Sequence, residues 1–110
     1  MKIEKMEKEL AIAERKCEEW RMAIAVYERC KSEPLGDFPE SAYRAYILTG
    51  STVDAAAALN NAGQRNGSRK FQPGDISETI DGALIDDIEL IEVAKFMLRG
   101  GRYYMNKLHN

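Results

Sequence analysis

Residues 3–27 decide the fold class, and they read IEKMEKELAIAERKCEEWRMAIAVY. Apolar or small side chains recur there at alternating spacings of three and four residues over nearly four heptads. These positions, which we call the heptad stripe, are Ile3, Met6, Leu10, Ala13, Cys17, Trp20, Ile24 and Tyr27. Glu, Lys and Arg, which favour helices, fill many of the positions between them. The pattern predicts one long amphipathic helix over residues 1–33, ending near Ser32 because Pro34 and Gly36 interrupt it.

The partner of the heptad stripe is open between a second copy of the chain and the chain itself. A parallel dimer would set like charges against each other, Glu9 against Glu14 and Lys16 against Arg21. An antiparallel dimer instead places Glu7 near Arg21. The stripe could also pack on the chain's own C-terminal helix, because such a pattern marks a buried surface without naming what covers it. We expect self-association through the stripe, with internal packing as the alternative.

Two short helices are predicted after this break. Pro39 suits the first turn of the second helix, and Gly50 suits its end. Ser51 then has the character of an N-cap, with Asp54 three residues later as a variant of the capping box. The third helix is expected over Thr52–Asn61, and its four consecutive alanines permit a close approach to neighbouring helices.

A polar connector follows at residues 63–74, GQRNGSRKFQPG, and it contains three glycines and one proline. Phe71 is expected to anchor the end of this connector in the core. Pro73 then starts a fourth helix, which Gly82 closes. The third and fourth helices together form a predicted helix-turn-helix at about residues 51–82.

Residues 50–80, GSTVDAAAALNNAGQRNGSRKFQPGDISETI, resemble the DNA-binding segment that follows the catalytic domain in large serine recombinases. That segment has a small helix ending in Leu-Asn, a turn with glycines and basic residues, an aromatic residue, and then a helix that starts with an apolar residue. The matching residues here are Leu59, Asn60, Gly63, Arg65, Gly67, Arg69, Lys70, Phe71, Pro73 and Ile76. The resemblance includes none of the catalytic domain, so it implies contact with DNA and not strand exchange.

Seven residues of this segment are candidates for DNA binding. Arg65, Arg69 and Lys70 would contact phosphates, and four polar residues would supply further contacts: Asn66, Ser68, Gln72 and Ser77. The fourth helix opposes this interpretation, because it carries no Lys or Arg and three acidic residues that phosphates repel: Asp75, Glu78 and Asp81. The alternative is a solvated polar connector between two packed helices.

The last third is predicted to form a fifth helix over residues 83–98 that is apolar on more than one face. Asp86, Asp87 and Glu89 fall in its first turns, where they suit the helix dipole. These acidic residues match no calcium loop, so no metal site is expected. The tail at residues 102–110 mixes basic and aromatic side chains. We expect this tail to cover the helical core, with a clamp on nucleic acid or on a partner as the alternative.

Composition bounds the class of protein. The chain has 110 residues, 45% of them hydrophobic and 31% charged, which suits one folded domain. Its net charge is −2, so any attraction to DNA must come from a local basic surface. No apolar run is long enough to span a bilayer and the charged N-terminus lacks a signal core, so we expect a cytoplasmic protein without membrane contact. Cys17 and Cys30 lie about 20 Å apart along the first helix, so both are expected to be reduced thiols.

Motifs of catalysis and of cofactor binding are missing from the sequence. The single histidine is His109, and no phosphate-binding loop, nucleophile elbow or zinc-type spacing occurs, so we expect neither an enzyme nor a cofactor. The expected fold is all-α: a long heptad-patterned helix at residues 1–33, then a helical bundle at residues 34–110 that contains the helix-turn-helix. The leading function is DNA binding by a homodimer, as a small regulator or accessory factor of a mobile element. The alternatives are a protein-binding inhibitor or adaptor, including an acidic mimic of DNA, and a structural oligomer subunit.

Overall fold

The computed structural model describes residues 2–101, and all regular structure within them is helical. Five α-helices, α1 to α5, are followed by a short π-helix, and their bounds are Ile3–Ser32, Glu40–Thr49, Thr52–Asn61, Pro73–Gly82, Ile88–Phe96 and Met97–Gly101. The expected all-α class, with a long N-terminal helix in front of a small bundle, is therefore confirmed. None of the helices in this part of the chain is both long and apolar enough to cross a membrane.

The helix α1 attaches to the bundle by its last third. Ala23, Val26 and Cys30 are buried there, where α1 packs on α2 and α5. The helix ends as predicted, because Glu33 adopts an extended backbone in front of Pro34. Ahead of its attachment the helix projects from the bundle, and the molecule measures 60 × 25 × 25 Å.

A cluster of ion pairs also holds the end of α1 on the bundle. A terminal nitrogen of Arg29 donates to Oδ2 of Asp87 at 2.6 Å. The Nε atom of Arg29 lies 3.1 Å from a carboxylate oxygen of Glu33, whose other oxygen lies 3.4 Å from Nε of Arg44 on α2. All four side chains are partly buried, so solvent screens these pairs less than it screens surface pairs. The cluster joins α1, α2 and the start of α5.

The core of the bundle lies between α2, α3, α4 and α5. Its largest fully buried side chains are Tyr43, Tyr46, Ile47, Leu59, Ile76, Ile80, Leu90 and Met97. Burial contributes roughly 1.5–3 kcal/mol for each large apolar side chain. The Tyr43 hydroxyl donates to the carbonyl oxygen of Thr79 at 2.7 Å, so its polar atom is satisfied inside the core. Tyr43 therefore fixes the end of α4 against α2.

Local capping places the junction between α2 and α3. Gly50 adopts a left-handed conformation with a φ of 71°, and its N–H donates to the carbonyl oxygen of Tyr46 at 2.8 Å. The Ser51 hydroxyl then accepts the N–H of Asp54 at 3.2 Å. These two caps end α2 at Thr49 and start α3 at Thr52, and the observed bounds of α3, Thr52–Asn61, confirm the prediction for the third helix.

The prediction for the fifth helix is wrong at its start, because α5 begins at Ile88 rather than at Ala83. Ala83 adopts a left-handed conformation with a φ of 49° and caps α4, so the chain cannot continue there as one helix. Asp87, expected inside the helix, is its N-cap and accepts a backbone N–H of the first turn at 3.3 Å. Asp86 consequently lies in the link before α5. The α-helix ends at Phe96, where the π-helix follows.

Candidate functional site

Residues 62–72 form the connector between α3 and α4, and this connector is a closed loop rather than a turn of three or four residues. The Asn60 side chain closes it with two hydrogen bonds to the backbone of Phe71. Its Oδ1 accepts the Phe71 N–H at 2.8 Å, and its Nδ2 donates to the Phe71 carbonyl at 3.1 Å. The Phe71 ring is buried and lies 5.0 Å from the ring of Phe38, which confirms that Phe71 anchors the connector.

Gln64 joins the start of the connector to α2 and to the segment before it. Its Oε1 accepts the hydroxyl of Ser41 at 2.7 Å, and its Nε2 donates to the carbonyl of Gly36 at 2.8 Å. The Ser41 side chain is fully buried, so this contact satisfies a polar group that water does not reach. No local sequence signal marks Gln64, since its two partners lie more than twenty residues away in the chain.

A tight turn forms the tip of the connector. The N–H of Asn66 donates to the carbonyl of Arg69 at 2.8 Å, and the N–H of Arg69 donates back at 3.3 Å. Gly67 has a φ of 66° at the first central position of this turn, a conformation that glycine adopts at little cost. Ser68 and Lys70 are exposed on this turn and directly after it.

The three basic side chains of the connector differ in their partners. Arg65 is exposed and donates to the carbonyl oxygens of Asn60 and Gln64 at 3.2 and 2.7 Å, so its charge stays unopposed. Lys70 is exposed, and it forms no ion pair within residues 2–101. Arg69 makes two hydrogen bonds of 2.8 Å to the two carboxylate oxygens of Asp75. Of the three side chains expected to contact phosphates, Arg65 and Lys70 therefore have uncompensated charges, whereas the charge of Arg69 is compensated by Asp75.

Asp75 organises the start of α4. Besides binding Arg69, its carboxylate accepts the N–H of Gln72, the residue before the helix, at 2.8 Å. The Arg69 guanidinium and then the Gln72 N–H lower the pKa of Asp75 to about 2. The carboxylate is therefore ionised at neutral pH, and the Arg69 side chain is held in one position beside the first turn of α4.

All seven candidate DNA-binding residues lie at the solvent-facing side of the connector or of α4. The five exposed ones are Arg65, Ser68, Arg69, Lys70 and Gln72. Asn66 and Ser77 are half-buried. Glu78 and Asp81 are exposed on the same helix as Ser77. The three cations of the connector and the three acidic residues of α4 balance in number, so this surface has no net positive charge.

The heptad stripe is a second candidate surface, and most of it is exposed. Ile3, Leu10 and Ile24 retain 71%, 60% and 45% of their exposure. Met6, Ala13 and Cys17 are exposed as well. Trp20 and Tyr27 are half-buried. The alternative interpretation, packing of the stripe on the chain itself, applies only to the C-terminal end of the stripe, where Tyr27 is partly buried against the core. The fully buried contacts of α1 lie on a neighbouring face that contains Val26.

An open groove of about 480 Å³ lies between α1 and α5. Its lining mixes apolar side chains with charges of both signs, and it includes Glu19, Met22, Ile88, Ile91, Phe96 and Arg99.

None of the groups with a displaced pKa among the described residues lines this groove. These groups are Arg29, Cys30, Tyr43, Arg69 and Asp75. Among residues 2–101, no group of His, Cys, Asp and Glu side chains is arranged to hold a metal ion. The expected role of residues 102–110 lies outside the described residues.

Comparison of the chain with protein-family models, with curated proteins and with solved structures found no match. The resemblance of residues 50–80 to large serine recombinases therefore stays a prediction. Two surfaces of the chain itself are the candidates for function, namely the connector with the start of α4, and the exposed heptad stripe.

Proposed function

We propose that the chain is a DNA-binding helix-turn-helix protein whose connector and α4 contact duplex DNA. The observation that supports this most directly is the closed connector, which holds Arg65, Arg69 and Lys70 on one exposed loop directly before α4. Rigid placement matters because a loop that is already ordered loses little conformational entropy when it binds. The narrower role, as a regulator or accessory factor of a mobile element, rests on the serine recombinase resemblance alone.

The basic side chains take different roles in this proposal. Arg65 and Lys70 supply the attraction to phosphates, because no carboxylate compensates their charges within the described residues. Arg69 supplies geometry rather than net charge. Three of its five N–H donors are used, two by Asp75 and one by the carbonyl of Lys70, so two remain for a DNA oxygen. Exposed Ser68 and Gln72 add neutral hydrogen-bonding groups beside these cations.

Two uncompensated cations predict weak binding with a moderate dependence on salt. Each phosphate that is neutralised contributes about −0.9 to the slope of log affinity against log salt concentration. One bundle is therefore expected to show a slope of about −2. The affinity should be measured by mobility shift on a pool of random duplexes at several salt concentrations, starting near 50 mM.

A matched pair of variants tests whether the connector is the contact. Arg65→Glu with Lys70→Glu reverses two charges on the connector and is expected to abolish the shift. Lys8→Glu with Arg15→Glu reverses the same number of charges on an exposed part of α1 and should leave most of the binding. Equal losses in the two double variants, or no binding by the wild type at any salt concentration, would overturn the proposal.

The compensated Arg69 favours a second candidate, in which α4 presents an acidic surface to a basic protein. Glu78 and Asp81 are exposed on α4, and Asp75 compensates the positive charge of Arg69 beside this helix. Retention on immobilised polylysine, with weaker retention of Glu78→Gln combined with Asp81→Asn, is the expected result for this candidate. It replaces DNA binding if the wild type shows this retention and shifts no duplex.

A further inference from the structure

The exposed part of the heptad stripe and the bundle occupy different faces of α1, and only Tyr27, the last member of the stripe, packs against the core. Ala23 and Cys30 lie one heptad apart on the line that meets the bundle, and Val26 lies beside them. At 3.6 residues per turn, this line is displaced by about a quarter turn from the centre of the stripe. Ile24 consequently stays exposed although Ala23 and Val26, which are close to it in the chain, are buried. The exposed side chains of the stripe, from Ile3 to Cys17 and at Ile24, are thus accessible to a second helix.

We propose that α1 forms an antiparallel two-stranded coiled coil with α1 of a second copy of this chain. The pairing is centred on Arg15, so that stripe residues whose numbers add up to 30 face each other, and the flanking residues pair with an offset of two positions. This register uses every member of the heptad stripe, and it pairs the two smallest side chains with each other. The facing pairs are Ile3 with Tyr27, Met6 with Ile24, Leu10 with Trp20, and Ala13 with Cys17, each pair formed twice.

Charges beside the stripe favour this direction over a parallel one. The antiparallel register sets Glu7 against Arg21 of the second copy, and this attractive contact forms twice. Two like-charge contacts remain at the two-fold axis, where Glu14 meets Glu14 of the second copy and Lys16 meets Lys16 of the second copy. A parallel pair would contain four like-charge contacts, against two attractive ones. Within one chain, Arg21 pairs with Glu18 at 2.6 Å, but both side chains are largely exposed, so Arg21 can exchange that partner at little cost.

The proposed dimer has a geometry that depends on where the bundles attach. Ala23 to Cys30 is centred between eleven and twelve residues from Arg15, so the two attachment points lie about 35 Å apart along the coil at 1.5 Å per residue. The two-fold axis runs perpendicular to both helices, so both bundles lie on the same face of the coil. That spacing of the attachment points is close to one turn of DNA, about 34–36 Å. If the proposed DNA contact of each bundle holds, the dimer addresses two half-sites one turn apart.

The native thiols permit a direct test of the direction of pairing. In the antiparallel register Cys17 faces Ala13 of the second copy, whereas Cys17 of the second copy lies about 6 Å further along the axis. Ala13→Cys should therefore give a covalent dimer with diamide as oxidant, and the wild type should give little. Cys30 is buried and burial raises the pKa of its thiol, so Cys17→Ser in the Ala13→Cys background should leave only background cross-linking.

Several outcomes would overturn the antiparallel dimer. One is a monomer at all concentrations in light scattering without DNA. Another is a wild type that cross-links through Cys17 as efficiently as Ala13→Cys does. Leu10→Lys should dissociate the dimer, and Lys8→Ala, on the outer face of the coil, should not. Circular dichroism of each variant checks that helicity is kept, so that a folding failure is not counted as dissociation.

A separate readout distinguishes failure of the dimer from failure of DNA binding. The diamide-linked Ala13→Cys dimer is tested on random duplexes of about 12 and about 25 base pairs, since only the longer one spans two half-sites one turn apart. Affinity for the longer duplex is expected to be at least tenfold higher. A linked dimer that binds neither duplex contradicts the proposed DNA function and leaves the antiparallel dimer standing. Equal affinity for both duplexes contradicts the same-face placement of the bundles.

Discussion

Arg69 and Asp75 form a two-point ion pair across the start of α4, with both hydrogen bonds 2.8 Å long. The pair is asymmetric in exposure, because the side chain of Arg69 retains 55% of its exposure and that of Asp75 only 12%. Asp75 is thus the inner partner that fixes the outer guanidinium. This one contact both positions Arg69 for a ligand and removes its net charge.

Asp75→Asn is expected to strengthen binding to random duplex DNA. The substitution removes one negative charge from the surface and leaves the positive charge of Arg69 uncompensated, so the slope of log affinity against log salt should steepen by about 1. Glu78→Gln is the matched control, because it removes an acidic charge from the same helix without releasing an arginine. A smaller or equal effect of Asp75→Asn would mean that Arg69 does not reach the DNA.

Acid should weaken the fold through the same carboxylate. Its pKa is lowered to about 2 in the folded chain, so the stability that its ionised form contributes is fully present above the ordinary pKa of about 3.9. That stability is lost as the pH falls through about 2. The difference in unfolding free energy between wild type and Asp75→Asn, measured in urea, should be constant from neutral pH to about pH 5 and shrink below pH 4. A difference that does not change down to pH 2 would contradict this assignment.

Asn60→Ala should open the connector and destabilise the fold. The change removes both hydrogen bonds to the backbone of Phe71, and a polar group left unsatisfied beside a buried residue costs about 1–3 kcal/mol. Asn61→Ala is the control, since Asn61 is the exposed neighbour on the same helix and its substitution should change the unfolding free energy by less than about 0.5 kcal/mol. Urea titrations of both variants give the comparison, and equal midpoints would show that Asn60 does not close the loop.

Tyr43→Phe should lower the unfolding free energy by about 1–2 kcal/mol. The variant keeps the buried ring but leaves the carbonyl of Thr79 without its hydrogen-bond donor. Burial also raises the pKa of Tyr43, which keeps the hydroxyl protonated as a donor at all ordinary pH values. Chemical denaturation with tryptophan fluorescence measures the change, and a stability equal to that of the wild type would show that this bond contributes nothing net.

The sequence was sufficient for those helix bounds that local chemistry sets. Gly50 and Ser51 end one helix and begin the next through contacts within a few residues, so the end of α2 and the start of α3 could be predicted. Alanine at position 83 gives no such signal, because a left-handed conformation is rare for a residue with a Cβ atom. The start of α5 was therefore placed too early, although Asp87 is a residue type that often caps helices.

The candidate site was predictable in its residues but not in their pairing. Arg69 and Asp75 were both identified from the sequence, yet they meet because the turn after Asn66 and the first turn of α4 bring them together. Their spacing of six residues corresponds to no regular helix or strand contact. Gln64 was missed for a similar reason, since its partners Ser41 and Gly36 become neighbours only after α2 and α3 have packed.

Because α1 attaches through its last third, the length of this helix and the packing of the bundle can vary independently. Fully buried side chains of α1 begin at Ala23 and residues 3–19 are exposed, so this exposed part of the helix can be shortened or extended without removing a buried side chain. In the proposed dimer each heptad removed from the N-terminal end would shorten the span between the bundles by about 10 Å, or about three base pairs of DNA. The length of this helix would then act as a ruler that evolution can adjust while the folded bundle stays the same.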